Sequence, residues 1–171
     1  MGRVDKENYY LNIAETVLGR STCLRRCYGA IIVKSDEIIS TGYNGAPRGR
    51  KNCVDLGYCT RETLGIPSGE RYELCRSVHA EANAIISAAR RDTIGATLYM
   101  ACKDPRTGAL IPHSSSCAMC RRLIINAGIE RLVIRNTKTE YSVVHVEDWV
   151  REDETLPESG APACSDCGGC I

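Results

Sequence analysis

Three short segments carry residue types from which a catalytic metal centre can be built: His79-Ala80-Glu81, Cys117-Ala118-Met119-Cys120 and Gly42-Tyr43-Asn44-Gly45. Each is weak alone. Eleven cysteines among 171 residues make a Cys-x-x-Cys nearly inevitable, and a His-x-Glu is more often helix-capping polarity than a metal motif. Context strengthens them. Cys117 and Cys120 stand three residues apart at the start of a helical pattern, so both sulfurs share one face. A helix N-terminus also favours the thiolate that a metal takes. His79 likewise opens a helical pattern, directly after a long irregular stretch. One imidazole and two thiolates form a zinc set with the fourth position left for water, which marks a catalytic rather than a structural site. Two thiolates neutralise Zn²⁺, so the metal alone acidifies its water less than a three-histidine site would. Glu81, two residues beyond His79 and not a ligand, can supply the missing basicity.

These segments need elements to hold them. Apolar residues recur at three- and four-residue spacing over 5–20 (Tyr10, Ile13, Ala14, Val17, Leu18), which predicts a helix. Residues 28–33 and 37–43 read as a hairpin around Lys34-Ser35-Asp36. The stretch 44–77 loses periodicity, is dense in Gly and Pro and holds three cysteines. A loop of that length needs something to tie it down. Propensity predicts a helix over 79–91, a strand over 97–102 and a loop over 103–116. A helix over 117–127 stops at Gly128, a strand follows at 131–135, a fifth at 142–146, and a short helix begins near 147. The strand–helix–strand unit over 97–135 requires parallel pairing. The expectation is a three-layer α/β/α fold on a mixed five-stranded sheet.

Composition bounds the function. A length of 171 residues predicts one domain. Residues 1–155 form it, including the long loop 44–77, and a Cys-rich tail follows over 156–171. Twenty-two basic against twenty-one acidic residues leave a net charge of +1, with no electrostatic footprint for extended nucleic acid or an anionic membrane. No apolar run approaches the roughly 18 residues that span a bilayer. The start MGRVDKENYY has no apolar signal core and no myristoylation pattern. A cytoplasmic location is expected, and an odd cysteine count without a signal points to metal or catalytic thiols rather than disulfides.

The three segments, in this order and on these elements, resemble the zinc-dependent cytidine and deoxycytidylate deaminases. The likeness runs from about Arg20 to Arg135. Within it, Arg20-Ser21-Thr22-Cys23, Tyr28-Gly29-Ala30, Ile39 to Pro47 and Leu123 to Ile129 are similar to the deoxycytidylate (dCMP) branch. The resemblance implies Zn²⁺ on His79, Cys117 and Cys120, with Glu81 carrying a proton from the zinc water to ring N3 and then assisting the departing ammonia. It implies hydrolysis of dCMP to dUMP, a supply of dUMP for thymidylate synthesis. It places Asn44 at the sugar, the Ala80 N–H on the ring carbonyl and the Ser116 carbonyl on the exocyclic amine, with Tyr43 a further substrate-binding residue. Asn44 also has a plainer reading as a turn residue, since Asn tolerates positive φ. Arg25 and Arg26 either fork onto a 5′-phosphate or are solvated surface charges. Family members are commonly homo-oligomers, hexamers or dimers, activated by dCTP and inhibited by dTTP, with Mg²⁺ accompanying the nucleotide effector.

Two departures stand out. Ser116 replaces the Pro that usually precedes the first zinc cysteine, and 103–115 is longer than in short members, which bears on substrate choice. Some members also carry a second, structural zinc at the positions of Cys23 and Cys53, and the spacing suggests Cys59 and Cys75 as its further ligands. Cys164, Cys167 and Cys170 either bind metal with a ligand from elsewhere or form an oxidisable end. Other small cytosine nucleotides or nucleosides, or a pterin-like precursor, stay open as substrates. A tRNA or single-strand DNA deaminase would want a basic channel and stacking aromatics, which eight Tyr, one Trp and no Phe supply poorly. A non-enzymatic zinc module would have no use for Glu81 beside an open fourth position.

Overall fold

The computed structural model describes residues 2–152. Asp5 accepts a hydrogen bond from the Asn8 N–H at 2.9 Å and so caps helix α1 (Lys6–Leu18). A hairpin follows, β1 (Cys27–Lys34) and β2 (Glu37–Tyr43), turned by Ser35 and Asp36 at positive φ. After the irregular segment come α4 (Ala80–Ile86), α5 (Arg90–Thr93), β3 (Thr97–Lys103), α6 (Ala118–Ala127), β4 (Arg131–Arg135), β5 (Tyr141–His145) and α7 (Val146–Arg151). The sheet order is β2-β1-β3-β4-β5. β3 and β4 run parallel, as the strand–helix–strand unit requires, and the other pairs are antiparallel.

Alternation along the strands feeds two cores. Ile31, Val33, Tyr99, Ala101 and Val133 face α1, where Tyr10, Leu11, Ala14 and Leu18 meet them. Ala30, Ile32, Leu98, Met100, Leu132 and Ile134 face the other way, onto Ala80 and Ala84 of α4 and Ile124 and Ala127 of α6. Both sheet faces are therefore covered, giving three layers. Two glycines set how closely helices approach. A Cβ at Gly29 would lie 2.2 Å from the Ala14 carbonyl of α1, and one at Gly42 would lie 2.2 Å from the Ala80 carbonyl of α4. Only a residue without a side chain lets the two helices seat there.

The structure revises one expectation and fills in another. The helix predicted over 79–91 breaks at Ser87-Ala88-Ala89, and α5 restarts at Arg90. Buried Thr93 explains the break: its hydroxyl donates to the Ala127 carbonyl at 2.7 Å, docking α5 on the end of α6 and turning the chain toward β3. The stretch 44–77 is not structureless. It holds two single-turn helices, α2 (Cys53–Leu56) and α3 (Thr60–Thr63), and a 3₁₀ turn at Tyr72–Leu74. Among the described residues no helix is long and apolar enough to cross a membrane. Cys164, Cys167 and Cys170 and the tail 156–171 lie outside the described residues.

Candidate active site and metal centre

His79 is the N-cap of α4 and Cys117 the N-cap of α6, so both stand where a helix leaves its first N–H groups unpaired. Val78 exchanges backbone hydrogen bonds with Gly45 at 2.8 and 3.2 Å, which ties the start of α4 to the end of β2. Helices α4 and α6 pack side by side on one sheet face. The result is a convergence: His79 Nδ1 lies 3.4 Å from Cys117 Sγ and 3.4 Å from Cys120 Sγ. All three donor atoms lie within 4.8 Å of one another. Tetrahedral zinc, with bonds of about 2.0 Å to nitrogen and 2.3 Å to sulfur, spaces such atoms by about 3.5 Å. The donor set and its spacing fit zinc.

The electrostatics agree with a cation site. Cys117 is pulled down to about 4, first by the hydrogen bond from Cys120, against burial, and then by His79. Cys120 moves up, because it keeps the proton it shares with Cys117 and is buried near Glu81. His79 is pushed up to about 10, chiefly by the Cys117 sulfur and next by Cys75. The pair thus favours the thiolate at Cys117 over Cys120.

Glu81 sits in the first turn of α4, only 4% exposed, and lines a cavity of about 310 Å³ together with His79 and Cys117. The same cavity touches Arg25, Arg26, Tyr28 and Asn44. Asn44 is an organiser first. Its Oδ1 accepts from the Tyr28 N–H at 2.8 Å and from Ser21 Oγ at 2.6 Å, and its Nδ2 donates to the Arg26 carbonyl at 2.8 Å. One N–H is left over. The turn-residue reading of Asn44 does not hold, since its φ is not positive.

Tyr43, Ala80 and Ser116 do not line the cavity. The Tyr43 carbonyl accepts from Asn83 Nδ2 at 2.8 Å, which fixes α4 to β2. Ala80 is fully buried, with its N–H in the first turn of α4. Ser116 is buried, its carbonyl accepts from Arg121 Nε at 3.2 Å and its hydroxyl has no partner. Cys23, Cys53, Cys59 and Cys75 all line the cavity. Among the described residues, however, no three of those sulfurs gather within 4.8 Å; His79, Cys117 and Cys120 do. The four still sense one another: burial pushes Cys23 up, and Cys75 and Cys59 add to it. Burial likewise raises Cys53, with Cys23 next. Cys75 goes the other way, because the His79 ring overrides its burial.

Several lining residues escaped the sequence reading. Arg61 is buried in the irregular segment and donates to the Pro67 carbonyl at 2.7 Å and to the Glu70 carbonyl. Its guanidinium lies 4.5 Å from the Tyr72 ring centre, and Tyr72 stands edge-on to His79 at 5.0 Å. Glu62, Asp104 and Arg106 complete the mouth. Tyr28 lay within a matched segment, and its burial pushes the phenol well above its ordinary value. The others gave no signal, because irregular chain has no period from which to read a facing direction.

Comparison with known proteins completes the picture. The sequence model of the cytidine and deoxycytidylate deaminase zinc-binding region matches residues 4–136. The deoxycytidylate deaminase of Mycobacterium phage D29 is 40% identical over 138 residues, covering 78% of this chain and 96% of that protein. The human deoxycytidylate deaminase is 33% identical over 132 residues, covering 76% of this chain and 64% of that one. The chain spans only about a third of the Schizosaccharomyces pombe deoxycytidylate deaminase, at 31% identity (74% of this chain and 36% of that one). A solved dCMP deaminase from the cyanophage S-TIM5, in complex with dCMP and dUMP, superposes with a TM-score of 0.51 at 25% identity, over 76% of this chain and 80% of that one. The metal trio, the sheet order and a match over most of the chain agree, and this chain belongs to the cytidine and deoxycytidylate deaminase family.

Proposed function

We propose that this chain hydrolyses dCMP to dUMP and ammonia. The observation that carries the reading is Glu81, buried beside the His79–Cys117–Cys120 trio and lining a cavity whose mouth is rich in arginine. The relatives named deoxycytidylate deaminase, and the phage enzyme solved with dCMP and dUMP, support dCMP as the substrate. His79, Cys117 and Cys120 would hold a zinc ion, which when bound would supply an acidified water for attack on C4 of the cytosine. Glu81 accepts the proton released at attack and delivers it to ring N3, then assists the amine as it leaves as ammonia. The exocyclic C–N bond breaks, a C–O bond replaces it, and one water is consumed.

The other groups orient. The Ala80 N–H, in the first turn of α4, has no acceptor within its helix and suits the ring carbonyl. The Ser116 carbonyl keeps a second lone pair for the exocyclic amine beside its bond from Arg121. The remaining Asn44 N–H suits a sugar hydroxyl, with Tyr43 as its backbone neighbour. Arg25 and Arg26 suit the 5′-phosphate, since both line the cavity and guanidinium forks match phosphate oxygens.

A second, structural zinc on Cys23, Cys53, Cys59 and Cys75 belongs to the same reading. Four thiols on one cavity wall support it, although their sulfurs must draw closer to share an ion. The family resemblance adds a cytoplasmic homo-oligomer, dimer or hexamer, answering to dCTP and dTTP with Mg²⁺. The test is direct. Zinc-loaded protein should release ammonia from dCMP and bleach cytosine absorbance as dUMP forms. No ammonia from dCMP, with at least one zinc per chain confirmed by metal analysis and lost on replacing Cys117, overturns the reading.

A further inference from the structure

We propose that Glu62 is an internal anion in the phosphate subsite, held between Arg25 and Arg106, and that a ligand's phosphate must displace it. The Glu62 carboxylate lies 3.4 Å from Arg25 Nε and 3.9 Å from Arg106 Nη2. These two arginines stand 81 residues apart in sequence, and both line the catalytic cavity. A single carboxylate bridging two guanidinium groups takes the place that phosphate oxygens would take.

Three observations separate this from an ordinary surface ion pair. First, the bonds that hold the segment around Glu62 come from another side chain. Its neighbour Arg61 makes them from a buried position, with the carbonyls of Pro67 and Glu70 and the ring of Tyr72. Second, the mouth's other acid is committed to structure. Asp104 accepts from the backbone of Arg106 at 2.8 Å and of Thr107 at 3.3 Å, besides its pair with Arg26. The Glu62 side chain is 43% exposed and can swing into solvent. Third, Arg25 carries more donor capacity than Glu62 uses: its Nη1 is buried without a hydrogen-bond partner.

The consequence is a filter on charge. A phosphate monoester carries close to two charges at neutral pH and can displace a monoanionic carboxylate from two arginines. A neutral nucleoside cannot, and meets Glu62 still in place. Glu62 therefore sets how strongly the site favours phosphorylated over unphosphorylated ligands, at some cost in affinity for the phosphate itself. The inference rests on the deaminase reading for its substrate but not for its binding test.

The experiment measures binding of inorganic phosphate by calorimetry to the zinc-loaded wild type, Glu62→Gln and Arg25→Gln. It also measures kcat/KM for dCMP and deoxycytidine in each. Exposed ion pairs are worth about fivefold in affinity at most. Glu62→Gln should tighten phosphate by about that factor and lower KM for dCMP alike, while Arg25→Gln weakens both. If Glu62 instead positions Arg25, Glu62→Gln will weaken phosphate and raise KM, and the proposal is overturned. Equal phosphate binding by all three proteins overturns it as well. Failure of the wild type to deaminate dCMP, with the binding order intact, would count against the substrate reading and leave this inference standing.

Discussion

The floor and the roof of the cavity are built by opposite means. The floor is two helix starts seated on a covered sheet, with Ala80, Ala84 and Ile124 completely buried beneath them. Its ligand atoms converge because α4 and α6 are fixed by Gly42, by the bridge at Val78 and by the parallel β3–β4 pair. The roof is irregular chain from 44–77 and 103–116, held by single side chains such as Arg61 and Asp104. Proton transfer and metal binding need positions fixed to fractions of an ångström, which regular elements supply. Substrate choice tolerates more movement and is carried by loops on a rigid scaffold.

Breaking the floor should cost most. Glu81→Gln keeps shape and removes the proton carrier, so kcat should fall about 10²- to 10⁴-fold while zinc content stays at the wild-type level. Loss of the zinc together with the activity would make Glu81 a structural group instead. Gly42→Ala attacks the floor's packing. The added methyl would collide with the α4 backbone, and unfolding in urea should shift by about 3 kcal/mol. An unshifted midpoint would show that α4 does not need its close seat.

Breaking the roof should cost less and leave the chemistry in place. Replacing both Cys59 and Cys75 by Ser should reduce bound zinc from two ions per chain to one and make the 44–77 segment easier to cleave with protease. One zinc in the wild type would remove the second site from the account. Arg25→Gln should raise KM for dCMP about tenfold with little change in kcat, since a charged hydrogen bond is worth about 1.5 kcal/mol or more. A fall in kcat with KM unchanged would place Arg25 at the reacting atoms and blur the division between floor and roof.

The same division governs what could be read in the sequence. Strands 28–33, 97–102 and 131–135 were legible because β1, β3 and β4 are buried on both faces and read as apolar runs. The metal trio was legible because its members sit at helix starts, where spacing fixes direction. The helix over 79–91 was overestimated: local propensity favours it, but Thr93 and the turn toward β3 override propensity. Arg61, Glu62, Tyr72 and Arg106 were invisible, since nothing in an aperiodic loop says which side chains turn inward. Asn44 lines the cavity, and its side chain there holds Tyr28, Ser21 and Arg26 in place, a set of partners that nothing in its turn-like Tyr-Asn-Gly setting announces.

The most direct measurement is the ratio of kcat/KM for dCMP to that for deoxycytidine in zinc-loaded wild-type protein, with a cytosine-containing single-stranded oligonucleotide as third substrate. An arginine-lined roof over a deaminase floor predicts dCMP preferred over deoxycytidine by about a hundredfold, two charge-assisted contacts' worth, and no turnover of the oligonucleotide. Equal turnover of dCMP and deoxycytidine, or preference for the oligonucleotide, would contradict it.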